Sequence, residues 1–210
     1  MLKIVVMKER KVKIFGKELS FDLPSEADES VFDEIFRDGE YRIVDSIIAK
    51  AKTIFDVGAH IGLFSVYASL LSDAKITAFE PSVENFALMK ENLKRNGVRD
   101  VVCKNVAVGA EAGEREFFLS EDSHNHSFYG EGDSVKVRVS QLKRGCDFLK
   151  MDCEGAEFEI LPSLDLSLFG AIFVEYHREP SSLVALLGKN FSVKKFPSNY
   201  DKNMGYLLAT

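Results

Sequence analysis

The chain has 210 residues, of which 46% are hydrophobic, and it carries a formal net charge of −6 at pH 7. This length and composition suit one globular domain and exclude general disorder, while the acidic balance argues against a broad nucleic-acid surface. No apolar run approaches the ~20 residues that a membrane span requires. The three cysteines are odd in number and form no Cys-x-x-Cys pair, which favours a location in the reducing cytoplasm.

Residues 1–52 predict an N-terminal β/α extension. Charged and apolar residues alternate from Leu2 to Leu23, which indicates a hairpin with a turn at Gly16. Residues 27–51 then show helical spacing of apolar side chains, and Gly39 is expected to separate two helices. We expect this extension to pack on residues 53–210 so that the whole chain forms one compact domain.

From residue 53 onward, apolar strands alternate with amphipathic helices, the pattern of a mostly parallel sheet. Strands are predicted at 53–59, 75–80, 101–110, 146–152 and 171–177, and helices at 60–72, 83–96, 154–164 and 181–187. Short strands at 114–120, 123–130 and 135–140 interrupt this order and predict a small β insertion at about 114–140. The last apolar segments, 191–196 and 204–210, are expected to pair as an antiparallel hairpin at the sheet edge.

The first strand runs into the loop DVGAHIG, residues 56–62. Ligands of open α/β sheets bind beyond the carboxyl ends of the strands, and Gly58 and Gly62 would let the backbone approach a ligand closely. A dinucleotide loop requires glycine where this chain has His60, so a ligand without a pyrophosphate is favoured. Asp56 would be available to amino-acid or solvent-bridged groups of that ligand. His60 could reach the reaction centre, or it could cap or pack.

Glu80 ends the second strand of this series, in AFEP. An acidic residue at this position can hydrogen-bond two ribose hydroxyls, as it would in a nicotinamide enzyme or in an enzyme that uses adenosylmethionine. The loop and Glu80 together predict a nucleoside site more strongly than either motif alone.

Four motifs, including the two just described, together carry a resemblance to a known family. DVGAHIG, the segment 79–81 (FEP), the segment 150–157 (KMDCEGAE) and the pair Glu175 and His177 are together similar to the FkbM family of methyltransferases. The lead-in FRDGEY at 36–41 resembles the family's approach to the first strand. The resemblance extends from about Phe36 to His177 and leaves the first 25 or so residues uncovered.

The resemblance implies a fold, a donor and a reaction. The fold would be α/β, a Rossmann-like class I methyltransferase whose seven-stranded, mostly parallel sheet carries the antiparallel C-terminal edge hairpin and the N-terminal extension. The donor would be S-adenosyl-L-methionine, with S-adenosyl-L-homocysteine as product, and the reaction would usually be O-methylation. By position, the resemblance implies cofactor contacts from Asp56, Gly58, Ala59, His60, Gly62, Glu80, Pro81, Asp152 and, around the adenine, Asn105, Val106 and Ala107.

The resemblance also places Asp152, Glu154 and Glu157 at the reacting end. A hydroxyl acceptor must lose a proton, and we hypothesise Asp152 or His177 as the general base. Glu154 and Glu157 are three residues apart on the predicted helix, so they could share a face and orient substrate. Alternatively, they only favour the positive N-terminus of that helix or bind its amides.

No metal ligand is assigned from the sequence. A divalent cation held by Asp152 and Glu175 at adjacent strand ends is a less favoured alternative. His124 and His126 form a His-x-His pair that a transition metal could use, but a solvent-facing position or contact with substrate is favoured.

The leading functional hypothesis is an O-methyltransferase whose partner is a small-molecule hydroxyl acceptor, sugar-like or otherwise polar. An RNA methyltransferase with a local basic patch at Lys90, Lys94 and Arg95 is the alternative, although the net charge argues against nucleic acid. A nicotinamide oxidoreductase and a non-catalytic nucleoside-binding module remain as hypotheses of other classes.

Overall fold

The computed structural model describes residues 8–120, 125–198 and 203–210. Its main sheet has seven strands in the order β11-β12-β10-β9-β3-β4-β5. These strands are β3 (Thr53–Val57), β4 (Lys75–Phe79), β5 (Val101–Lys104), β9 (Phe148–Met151), β10 (Ala171–Tyr176), β11 (Val193–Pro197) and β12 (Gly205–Ala209). The five strands from β10 to β5 are parallel, whereas β12 is antiparallel to both β10 and β11. The predicted fold class, with its antiparallel C-terminal hairpin, is therefore confirmed.

The central strands are apolar because both faces of the sheet are covered. All four residues of β9 are buried, as are five of the six residues of β10, which is the pattern of strands covered on both sides. The covering helices are α3 (Leu63–Leu71), α4 (Val83–Arg95), α5 (Glu157–Ser163) and α6 (Ser181–Leu187). The prediction that a helix at 83–96 is ended by Gly97 is confirmed, and Gly97 has φ +71°.

Two helices begin later than predicted. The sequence predicts a helix from residue 60, but residues 60–62 form a turn with Gly62 at φ +86°, and α3 begins at Leu63. Likewise α5 begins at Glu157 rather than at Glu154, because Glu154 has φ +51° and Gly155 has φ +98°. A residue in the left-handed conformation cannot continue a right-handed helix. Each helix therefore begins after its turn, and the turn residues remain in the loop at the sheet edge.

The N-terminal extension consists of a hairpin and a broken helical segment. Its elements are β1 (Lys8–Ile14), β2 (Lys17–Leu23), α1 (Glu26–Asp33), a π-helical turn at Glu34–Asp38, a 3-10 turn at Glu40–Val44 and α2 (Asp45–Ile48). Gly39 does separate two helical parts, but neither part is a long α-helix. The hairpin packs on α4, where the backbone N–H of Asp22 donates to Asn92 Oδ1 at 3.0 Å. Residues 2–7, the first six of the predicted hairpin segment, lie outside the described residues.

The single strand predicted at 101–110 is wrong, because the chain leaves the main sheet after Lys104. The side-chain amide of Asn105 donates to the carbonyl oxygens of Glu80 (2.9 Å) and Pro81 (3.0 Å), which fixes this turn. The next strand, β6 (Ala107–Val108), instead joins β7 (Gly113–Phe118) and β8 (Ser134–Ser140) in a three-stranded sheet.

This small sheet is the inserted element. Strands β7 and β8 are antiparallel, while β6 runs parallel to β8. The predicted strand at 123–130 does not form within the described part of that segment, which contributes one isolated bridge between Phe118 and Ser127. His124 lies outside the described residues. Over the described ranges, no helix is long and apolar enough to cross a membrane.

Candidate active site

A cavity lies beyond the carboxyl ends of the parallel strands, beside β3. The chain runs from β3 to β4 and β5 on one side and later returns to β9 and β10 on the other, so β3 marks the switch point where such sheets bind ligands. The N-terminal extension, the strand-end loops and the small sheet all line the cavity. Its polar and charged lining residues are Ser30, Glu34, Tyr41, His60, Glu80, Asn85, Asn125, His126, Lys150, Asp152, Glu154, Glu175 and His177.

The loop after β3 is packed tightly against the loop after β9. Gly58 has φ +74°, and a Cβ atom built there would lie 1.7 Å from the carbonyl oxygen of Asp152. The backbone N–H groups of Gly58 and Ala59 donate to Phe79 O at 3.1 and 3.0 Å. Gly58 and Ala59 line the cavity, whereas Gly62 lies against Met89 and outside the lining. Glycine at position 58 is thus required by the approach of two protein loops.

Asp56 does not face the cavity. Its carboxylate is fully buried and accepts a hydrogen bond from Ser65 Oγ at 2.6 Å, while Lys150 Nζ lies 3.6 Å from its other oxygen. Burial raises the pKa of Asp56, although Lys150 acts in the opposite direction. Asp56 therefore acts on the site through Lys150, and not by the direct ligand contact that the sequence predicts.

Lys150 is a cation inside the wall of the cavity. Its ammonium donates to the carbonyl oxygen of Gly58 at 2.9 Å and lies 3.5 Å from Asp152 Oδ2. Burial acts to lower the pKa of Lys150, but Asp152 and Asp56 together raise it above its usual value. Lys150 thereby joins the loop after β3 to Asp152 at the end of β9. Lys150 begins the motif at 150–157, but the sequence alone predicts no role for it.

Glu80 is held in one position within the cavity. Its Oε2 accepts the backbone N–H of His60 and its Oε1 accepts that of Ser82, both at 2.8 Å. The residue is 5% exposed, and burial raises the pKa of its carboxyl. Glu80 therefore orders the turn at His60 in addition to facing the predicted nucleoside position.

His60 connects this turn to the N-terminal extension. Its φ is +51°, and its Nε2 lies 3.0 Å from Oδ1 of the fully buried Asp28 on α1. This contact favours the capping and packing interpretation of His60. Because Asp28 also bonds with Ser25 at the start of α1, the loop and the first helix hold each other in place.

The apolar part of the cavity lies between the main sheet and the small sheet. Ala107 lines it as predicted and is joined by Val108, Phe79, Phe117 and Phe128. Pro81 is also in the lining, whereas Asn105 and Val106 are not, since Asn105 uses its amide to tie the adjacent loop. The aromatic residues of β7 and the following loop were not predicted, because the sequence does not show that the insertion folds over this end.

At the other end, four predicted residues come together. His177 Nε2 lies 3.8 Å from Asp152 Oδ1 and 3.4 Å from Glu154 Oε2, and His177 Nδ1 lies 3.3 Å from Glu157 Oε1. The expectation that Glu154 and Glu157 share a helix face is wrong, because Glu154 precedes the helix in a left-handed turn. They converge nonetheless, since the turn and α5 face the same histidine.

Glu157 stabilises the turn that it follows. Its Oε1 accepts the backbone N–H groups of Cys153 (2.8 Å) and Gly155 (3.3 Å). This agrees with the interpretation in which a glutamate binds amides near the helix start. Burial acts against a charge on His177, but Glu154 and Glu157, followed by Asp152, raise the pKa of His177 to about 12. The cluster therefore contains an imidazolium surrounded by carboxylates.

The N-terminal extension supplies cavity residues that the sequence analysis missed. Ser30, Glu34 and Tyr41 line the cavity from α1, the π-helical turn and the 3-10 turn. Burial, followed by the charges of Glu40 and Asp152, raises the pKa of Glu34 to about 7. Ser30 and Glu34 belong to no motif, and the lead-in segment 36–41 that contains Tyr41 predicts no role for it. Only the three-dimensional packing of the extension identifies these residues.

Three of the clustered residues could hold a metal ion. Among the described residues, Asp152, Glu157 and His177 each offer one ligand atom, and these atoms lie within 4.8 Å of one another. The alternative considered from the sequence paired Asp152 with Glu175, so the structure keeps Asp152 and brings different partners to it. His126 lines the cavity, and its Nδ1 accepts the backbone N–H of Ser120 at 2.9 Å.

Comparison with known proteins assigns this site to a family. The model of the methyltransferase FkbM domain matches residues 56–195. Methyltransferase sdnD from Sordaria araneosa is 29% identical to this chain, and the match covers 64% of this chain and 68% of that protein.

Solved structures show the same fold. Precorrin-6y C5,15-methyltransferase from Geobacter metallireducens superposes with a TM-score of 0.51 at 18% identity, covering 82% of this chain and 88% of its own. Aeropyrum pernix fibrillarin, solved with natively bound S-adenosyl-L-methionine, superposes with a TM-score of 0.55 at 11% identity, covering 96% of this chain and 82% of its own.

Proposed function

The chain belongs to the FkbM methyltransferase family, and we propose that it methylates a hydroxyl group of a sugar or another small polar metabolite. It is an S-adenosylmethionine-dependent methyltransferase with a Rossmann-like fold. The observation that carries the proposal of O-methylation is the position of Asp152, a carboxylate in the cavity wall between the cations Lys150 and His177.

The cavity residues fit the donor. Glu80 presents a carboxylate whose two oxygens are fixed by backbone N–H groups but keep further lone pairs, as two ribose hydroxyls require. Ala107, Val108 and Phe117 form an apolar wall suited to an adenine ring. When bound, S-adenosyl-L-methionine supplies an electrophilic methyl group, and the products are a methyl ether and S-adenosyl-L-homocysteine.

Asp152 is the better placed of the two candidate bases. Its side chain is 26% exposed and that of His177 is 12% exposed. Both ring nitrogens of His177 face carboxylates, whereas Asp152 lines the cavity with one oxygen toward Lys150 and the other toward His177. We infer that Asp152 accepts the proton of the acceptor hydroxyl as its oxygen bonds to the methyl carbon. Lys150 and His177 position this carboxylate.

The charge of the cavity favours an uncharged acceptor over a phosphate-rich one. Carboxylates of Glu34, Glu80, Asp152, Glu154 and Glu175 line it, and among the described lining residues the cationic groups Lys150 and His177 already lie beside carboxylates. A phosphate would be repelled there. RNA methylation remains the second candidate because the fold also occurs in RNA methyltransferases, such as the Methanocaldococcus jannaschii tRNA m1G37 methyltransferase.

A methyl-transfer screen tests the proposal. The protein would be incubated with S-adenosylmethionine labelled in the methyl group and with panels of sugars, amino sugars, phenols and short RNAs. We expect label in an alkali-stable ether of a small hydroxyl compound, strongly reduced in Asp152→Asn. Label found in RNA, with binding that weakens steeply as salt rises, would overturn the small-acceptor assignment in favour of RNA.

A further inference from the structure

We propose that Asp152, Glu157 and His177 form a binding site for a divalent transition-metal cation at the reacting end of the cavity. The three residues come from the end of β9, the start of α5 and the end of β10. One ligand atom of each lies within 4.8 Å of the other two. Two carboxylates and one imidazole make a mixed oxygen and nitrogen set, which suits manganese, cobalt or zinc better than calcium.

The separations between these groups are longer than those of direct charge-assisted hydrogen bonds. Charge-assisted hydrogen bonds between nitrogen and oxygen are about 2.7–2.9 Å long. His177 Nε2 and Asp152 Oδ1 are 3.8 Å apart, and His177 Nδ1 and Glu157 Oε1 are 3.3 Å apart. The two ring nitrogens point in different directions, so a cation would bind only one of them, together with one oxygen each from Asp152 and Glu157 within 4.8 Å of it. Ligand atoms at about 2.0–2.2 Å from one metal ion are separated by roughly 3 to 4 Å, so the three groups would move slightly closer around a bound ion.

Two buried atoms of the cluster are left without hydrogen bonds. Glu157 is fully buried, and its Oε2 has no hydrogen-bond partner among the described residues; the same holds for His177 Nδ1. A buried polar atom without a partner costs about 1–3 kcal/mol. A cation bound to the cluster would offset that cost, and it would replace the proton on the ring nitrogen of His177 that it binds.

The site is held in place before any cation binds. Oε1 of Glu157 accepts the N–H groups of Cys153 and Gly155, which fixes the carboxylate and leaves Oε2 available. Lys150 lies 3.5 Å from Oδ2 of Asp152, on the side away from the oxygen that faces His177. Such outer contacts orient ligands in metal sites.

The use of the cation rests on the proposed function, although its binding does not. Asp152 and His177 line the cavity, so a cation between them would have open positions toward an acceptor. It would bind the acceptor's hydroxyl oxygen and lower the pKa of that hydroxyl. The proton would then pass to the Asp152 oxygen that does not bind the cation.

The test is a titration of metal-free full-length protein with Co²⁺, followed by calorimetry and by the visible absorption of the bound ion. We expect one Co²⁺ per chain for the wild type, and binding weakened at least ~10-fold in His177→Ala and in Asp152→Asn. The matched control is Glu159→Gln, two residues after Glu157 on the same helix, where the carboxylate instead contacts Arg115 and Tyr129. It should bind Co²⁺ as the wild type does.

Calorimetry with S-adenosylhomocysteine on the same samples shows that each variant is folded and separates the two proposals. Wild type that binds S-adenosylhomocysteine but neither Co²⁺ nor Mn²⁺ at about 1 mM would overturn the metal site and leave the methyltransferase proposal standing. Equal Co²⁺ binding by wild type, His177→Ala and Asp152→Asn would also overturn it. Should one variant fail to bind S-adenosylhomocysteine, the other decides the outcome.

Discussion

The carboxylate of Glu80 accepts the backbone N–H of His60 at 2.8 Å, so the two sequence motifs that predict a nucleoside site are hydrogen-bonded to each other. A second N–H, that of Ser82, binds the other oxygen. The residue expected to contact ribose thus also fixes the turn of the loop beneath the donor. A change at Glu80 should therefore disturb both ligand affinity and the stability of the fold.

Replacement of Glu80 by Gln should weaken S-adenosylhomocysteine binding by about 10-fold or more and reduce the free energy of unfolding by about 1–3 kcal/mol. The amide places an N–H₂ group against one of two backbone donors, which leaves a buried donor without an acceptor. Calorimetry and urea unfolding would measure the two effects. Glu84→Gln, at an exposed position on the first turn of α4, is the matched control. If Glu80→Gln behaved like this control, the dual role of Glu80 would be refuted.

Replacement of Gly58 by Ala should destabilise the protein by about 4 kcal/mol or more, because the new Cβ would lie 1.7 Å from the carbonyl oxygen of Asp152. Gly97→Ala separates this clash from backbone strain. Gly97 has a similar φ of +71° but nothing within 4 Å of the added atom, so strain alone should cost about 1 kcal/mol. Urea unfolding would measure both variants, and equal losses would show that the close approach at Gly58 is unimportant.

The pKa of Glu34, raised to about 7 from an ordinary value of 4.5, predicts a pH-dependent stability. The folded state binds the proton more tightly than the unfolded state, so this group removes stability as pH rises from about 4.5 to about 7. The free energy of unfolding of Glu34→Gln should match that of wild type near pH 4 and exceed it by about 1–2 kcal/mol near pH 8. This difference allows for the partial exposure of Glu34, which weakens the electrostatic effect.

Urea unfolding of Glu34→Gln and wild type across this pH range would measure the difference. A constant difference between the two proteins at every pH would contradict a raised pKa at Glu34, since a purely structural effect does not titrate.

Replacement of Lys150 by Met should reduce the free energy of unfolding by about 3–5 kcal/mol, because it leaves buried carboxylates without their cation. Asp56, at 3.6 Å from the ammonium, is the fully buried one of its two carboxylate neighbours, the other being Asp152 at 3.5 Å. The double variant that combines Asp56→Asn with Lys150→Met should lose less free energy of unfolding than the sum of the two single variants, by at least about 1 kcal/mol. A double-mutant cycle measured by urea unfolding checks this, and strictly additive losses would deny the coupling.

The main sheet could be predicted from the sequence, because apolar strands alternate with amphipathic helices on both sides of the insertion at about 114–140. It could not place the break after Lys104, since the apolar run continues and only the hydrogen bonds of Asn105 turn the chain. The left-handed Glu154 was likewise unpredictable, because local helix propensity there favours an earlier start of α5.

Part of the site could be predicted because the predicted strands are parallel. Motif residues such as Glu80, Asp152 and His177 follow strands directly, and strand ends meet at one edge of a parallel sheet. Asp56 instead lies within β3, and its side chain points inward to Ser65 and Lys150 because side chains alternate along a strand. Ser30, Glu34 and Tyr41 reach the cavity only through tertiary packing, which no spacing in the sequence encodes.

The wall formed by Ser30, Glu34 and Tyr41 lies outside residues 56–195, the segment that defines the family. The shape and charge of that side of the cavity can therefore be altered by mutation at Ser30 and Glu34 while every family motif stays intact. Two relatives with identical motifs need not accept the same compound. A chimera that exchanges Ser30 and Glu34 between such relatives, with Asp28 kept to hold the loop at His60, would test whether acceptor preference changes separately from donor binding.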